Sequence, residues 1–99
     1  MSVKVFKMIN GEELIAKVTQ ENDQVLVVDK PATIMVQQNE QGQVGVGLAP
    51  YMPYVSGKVF INRTAVASEG TPEIKMENEY SRIFGSGIEI ASAGAISGL

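Results

Sequence analysis

Few side chains in this sequence could do chemistry, and the best of them lie in two short stretches. In "VFINRTAVAS" a lone arginine, Arg63, follows Asn62 and stands between two short apolar runs. Loops between the strands of small barrels often carry function, and a guanidinium there suits a base or a phosphate. An ordinary solvated turn arginine fits the same residues equally well. In "GLAPYMPY" the rings of Tyr51 and Tyr54 alternate with Pro50 and Pro53. A segment stiffened by proline could offer these rings to stacked bases. A rigid corner that packs Tyr and Met onto the fold is preferred, because no basic run accompanies them.

The other candidates fall away on spacing. Glu12 and Glu13 are adjacent, and neighbours on a strand point to opposite faces, so they cannot share a substrate. Gly42, Gly45 and Gly47 run in the wrong order for a phosphate-cradling loop, and Pro50 follows where a helix would have to begin. Asp23 and Asp29 sit at chain breaks without ligand spacing. The 99 residues include no Cys and no His. Disulfides, thiol nucleophiles, imidazole acid/base chemistry and the usual zinc sites are therefore excluded. No catalysis, metal or cofactor is expected.

The elements that must position Arg63 read as short strands. "VKVFKMI" and "EELIAKVT" flank Asn10-Gly11, a pair that predicts a two-residue type I′ turn with positive φ at both positions. A turn around Asn22-Asp23 leads to "QVLVV", a break at Asp29-Lys30-Pro31, and then "ATIMVQQ". After "NEQGQ" come "VGVGLA", the proline-bearing corner, and finally "KVFI" and "TAVA" on either side of Asn62-Arg63. Leu14, Ala16 and Val18 alternate with Glu13 and Lys17, which predicts one buried and one wetted face. The fold class is mainly β, a small, strongly bent, five-stranded barrel over residues 1–70.

A C-terminal α-helix follows over 71–84, with Thr71 as N-cap, Pro72 in the first turn and Gly85 as the stop. Met76, Tyr80, Ile83 and Phe84 form an apolar stripe that should cover the barrel, while Glu79 and Arg82 face solvent at i, i+3. Ile74 points away from that stripe, either exposed or against a neighbouring subunit. Residues 85–99 are rich in Gly, Ser and Ala and read as a flexible tail in which only "IEIA" could pair.

With 44% hydrophobic content the chain makes a single domain with one core. Nowhere does it approach the roughly 18 apolar residues of a membrane span, so a soluble, cytoplasmic protein without membrane partners is expected. Eleven acidic residues against eight basic give a net charge of -3. Any binding to nucleic acid must therefore be local rather than spread over the surface.

Taken in order, "INGEELIAKV" and "FINRTAVAS" resemble the two signatures of the Sm and LSm family. Ala16 stands where that family usually has a glycine at a sharp strand bend, and Thr64 replaces the glycine that follows the arginine. Across nearly its whole length the chain is also similar to small Sm-like proteins of marine cyanophages, through "GEELIAKV", "GLAPYMPY", "INRTAVAS" and "NEYSRIFGSG". The resemblance implies a closed homo-oligomeric ring of about five to seven subunits joined by strand pairing. It further implies binding of single-stranded RNA, or of single-stranded DNA, through Arg63 and Asn62. Asn22 and Asp23 are the nearest match to the family's base-holding loop, although "TQENDQV" is shorter than that loop. The competing expectation is a structural ring that organises phage or host proteins without binding nucleic acid.

Overall fold

The computed structural model describes residues 2–85. Strand β1 (Ser2–Met8) turns back into β2 (Glu13–Glu21), β3 (Val25–Gln38) follows, and β4 (Val44–Pro50) returns along it. Strand β5 (Val59–Asn62), a 3₁₀ turn (Arg63–Ala65) and β6 (Val66–Gly70) complete the sheet, and α1 (Ile74–Tyr80) leads into a π-helical turn (Ser81–Gly85). The pairing is antiparallel throughout, in the order β4-β3-β2-β1-β6, with β5 also on β3. Residues 25–28 of β3 pair with β5 and residues 32–38 with β4. The six segments therefore make five rows, the fourth interrupted by residues 51–58. The expected mainly β, bent five-stranded architecture is present as an open antiparallel sheet.

One expected break and one expected turn type are corrected. Asp29-Lys30-Pro31 does not end a strand: β3 continues through it, with Lys30 at φ 50°. The register with β2 moves from Ile15↔Ala32 to Lys17↔Asp29, so Lys30 and Pro31 face Ala16 alone. This is a β-bulge, which bends a strand without ending it and accommodates a proline. The first hairpin also differs from its expectation. Its loop is Ile9-Asn10-Gly11, closed by Gly11 N–H to the Met8 carbonyl at 2.9 Å and Met8 N–H to the Glu12 carbonyl at 2.8 Å. Only Gly11 has positive φ, at 94°. Asn10 acts through its side chain instead, its Oδ1 accepting from Glu12 N–H at 3.0 Å. Such three-residue loops place their one left-handed residue last, where glycine is favoured. Glu40-Gln41-Gly42 repeats the arrangement between β3 and β4, with Gly42 at φ 81°.

Both faces of the bent sheet are buried near its middle. Phe6, Met8, Leu14, Ala16, Val18, Leu26, Val28, Val59 and Ile61 fill one face. On the opposite face Ile15 and Ala32 lie under Tyr80, with Met76 and Phe84 packed around them. The wetted second face expected for β2 is thus covered at Ile15, which is fully buried. The helix explains this, because its apolar side chains need the same surface. The helix begins two residues later than its caps suggest, with Glu73 at the N-cap and no side-chain cap hydrogen bond. Pro72, outside the helix, is buried, so packing rather than capping sets the entry point. Ile83 is 37% exposed and stays outside the cluster. It lies in the π-helical turn, whose wider winding takes it off the α-helical stripe.

The helix is also tied to the bend in β3. The Tyr80 hydroxyl lies 3.0 Å from the Asp29 carbonyl and 2.9 Å from the Lys30 carbonyl, its one hydrogen serving either. Lys30 Nζ in turn donates to the Phe84 carbonyl at 3.0 Å, a cation at the C-terminal end of the helical segment. Ile74 is 76% exposed, and Arg82 Nη2 meets Glu79 Oε2 at 2.6 Å on the solvent side, both as expected. The tail from residue 86 onward, including "IEIA", lies outside the described residues.

Candidate nucleic-acid interface

The four residues singled out in the sequence come together at one end of the sheet. Asn62 closes β5 opposite Val25 at the start of β3, and Arg63 opens the 3₁₀ turn that carries the chain to β6. That turn is pinned to the β2–β3 loop by the Arg63 N–H, which donates to the Gln24 carbonyl at 2.9 Å. The loop is held from within by Asn22. Its Oδ1 accepts from Gln24 N–H at 2.8 Å and Val25 N–H at 2.9 Å, and its own N–H donates to the Val25 carbonyl at 3.0 Å. Asn22 therefore shapes the loop, as short polar side chains do at turns. Asp23 and Asn62 are exposed beside it.

Each of the three nitrogens of the Arg63 guanidinium makes a hydrogen bond. Nε donates to the Asn22 carbonyl at 3.1 Å, Nη1 to Glu69 Oε1 at 2.7 Å and Nη2 to Glu21 Oε1 at 2.5 Å. Lys4 Nζ sits across the same carboxylates, 3.3 Å from Glu69 Oε2 and 3.7 Å from Glu21 Oε2. Two cations and two anions thus balance in one partly exposed cluster. The hydrogen bond from Arg63 holds the Glu69 carboxyl below its ordinary range, and the bond to Glu69 raises the guanidinium in return. The register sets Lys4 opposite Ala16 and Glu69 opposite Phe6. Both partners belong to the larger core cluster, so the charges line the rim of that face.

Sequence reasoning missed Lys4, Glu21 and Glu69, because Glu21 lies 42 positions from Arg63, only the β1–β6 register brings Lys4 over, and Glu69, six positions on, meets Arg63 across the 3₁₀ turn rather than at a regular helix or strand spacing. The tyrosines divide between the two readings. Tyr51 packs against the larger core cluster, and its N–H donates to the Pro31 carbonyl at 2.9 Å, as a rigid corner requires. Tyr54 is 98% exposed and Phe60, on β5, 69%. Gly45 and Gly47 are ordinary members of β4 rather than parts of a phosphate loop. Among the described residues no group of acidic side chains is arranged to hold a metal, and no helix is long and apolar enough to cross a membrane.

A bent antiparallel sheet, a 3₁₀ turn bearing arginine and a loop bearing asparagine held against it define a recognisable class. The family model described as the Sm_like domain matches residues 5–79, and the chain belongs to the Sm-like family. Sm-like proteins commonly bind RNA, typically form oligomeric rings and are generally not catalysts. No curated protein matches the chain.

Proposed function

We propose that this protein is a non-catalytic ring subunit that binds single-stranded nucleic acid, RNA in preference to DNA, and serves RNA or DNA processing. The observation that carries this reading is the double tether between the Arg63 turn and the Asn22 loop, through Gln24 and Asn22 carbonyls. It holds an arginine and exposed amide and carboxylate groups at one place, where a splayed base could be hydrogen-bonded or stacked. Arg63 would contact base or phosphate and Asn62 would hydrogen-bond beside it, with Asn22 and Asp23 shaping the edge of the site. Repetition around a ring of about five to seven subunits would concentrate these groups despite the acidic total. A phage origin and a place in the cytoplasm of the infected host belong to the same proposal and rest on the resemblance to cyanophage proteins.

Binding of short oligouridylates and oligothymidylates at low and physiological salt tests the reading. Affinity should fall with salt, and Arg63→Ala should weaken binding and flatten the slope. Absence of affinity at low salt would remove nucleic acid as the ligand. The second reading, a protein-organising ring, is favoured by the pairing of Arg63 with two carboxylates and by the exposure of Tyr54 and Phe60.

A further inference from the structure

We propose that Glu21 and Glu69 are built-in competitors for the ligand of Arg63, holding its guanidinium in the free subunit and yielding it when a phosphate or base edge arrives. The inference rests on the nucleic-acid reading above and adds a gate to it. Arginine carries five N–H donors in a planar fork matched equally to carboxylate and phosphate oxygens. Here Nη1 and Nη2 each meet a carboxylate oxygen, at 2.7 and 2.5 Å, in the positions a ligand's oxygens would take. The two glutamates therefore mimic the ligand.

Three features make the exchange feasible. The pairs lie at an exposed rim, where ion pairs are weak and screened by salt, so a polyanion can displace them. Lys4 faces both carboxylates, so they keep a counter-ion once Arg63 leaves. The Arg63 backbone stays fastened to Gln24, so only the side chain has to move. A gate of this kind disfavours small anions, which bring too little charge to displace two carboxylates, and favours a strand that engages several subunits together.

The test uses the full chain and a fluorescently labelled oligouridylate. Glu21→Gln combined with Glu69→Gln should tighten binding roughly tenfold, and Glu69→Gln alone by a smaller factor. Adding Arg63→Ala should abolish the gain, and a charge-matched Glu40→Gln, Glu77→Gln variant should not reproduce it. In the unaltered protein, titration with the oligonucleotide should move the NMR signals of Arg63 Nε and of the Glu21 and Glu69 carboxyl carbons together, a readout that needs no variant to fold. If the unaltered protein binds through Arg63 and neutralising the glutamates gives no gain, the gate is overturned while the nucleic-acid reading stands. A gain that survives Arg63→Ala, or that the charge-matched control matches, overturns the gate as well. Failure of every variant to bind overturns both.

Discussion

Tyr80 and Glu69 show how single side chains fix the energetics of this fold. Tyr80 is 2% exposed, and its hydroxyl is the polar partner for the carbonyls at the bulge. Tyr80→Phe should cost about 0.5–1.5 kcal/mol in urea unfolding, because the partly exposed carbonyls at the bulge lose a hydrogen-bond donor. Tyr80→Asp should cost more, by burying an unpaired charge. Burial pushes the phenol up to about 12 from an ordinary value of 10.0. A raised value in the folded state keeps the stabilisation intact below the unfolded value and removes it as pH climbs through the folded one. Stability should therefore fall between pH 10.0 and about 12, and Tyr80→Phe should lack that component. Glu69 has the opposite sign. Its carboxyl is lowered by the Arg63 hydrogen bond, so its contribution is present above the ordinary carboxylate range and disappears as pH falls below it. Glu69→Gln should flatten the acid limb of the stability profile.

At the scale of elements, turn chemistry was largely legible and continuity was not. Asn10-Gly11 announces a hairpin, and the structure needs positive φ at Gly11 alone. A Cβ there would meet nothing within 4 Å, so only backbone strain opposes substitution. Gly11→Val should cost about 1–3 kcal/mol, whereas Gly11→Asn should be nearly neutral, as measured by thermal or urea unfolding. The Lys30-Pro31 break was misread because a proline is punctuation when seen alone and a bulge when a neighbouring strand runs past both sides of it. The covered face of Ile15 escaped for a similar reason: alternation reports one sheet face, and the helix that buries the other lies about sixty residues further on. The Arg63 turn was visible from its apolar flanks. Its charged partners were not, since Glu21 and Lys4 are remote in sequence and the six positions from Arg63 to Glu69 match no helix or strand spacing.

For the whole molecule, the decisive fact is that, among the described residues, β5 and β6 each pair on one side only, β5 with β3 and β6 with β1. Their free edges carry unpaired backbone groups, and Phe60 stands exposed on one of them. Head-to-tail pairing of these edges would satisfy both and propagate until it closes. Light scattering at micromolar concentration should give a mass of about five to seven subunits, and a monomer mass would remove the ring. The β1–β6 ladder has another consequence. It joins the two ends of the domain, Lys4 meeting Glu69 across 65 positions of sequence, whereas β1 to β4 are linked by short hairpins. Closing so long a loop is entropically slow, so the meander of β1 to β4 should form early in folding and β6 should zip on late. In native-state hydrogen exchange the amides of Val66–Gly70 should open at lower free energy than those of β2, making the last strand to dock the first to peel away.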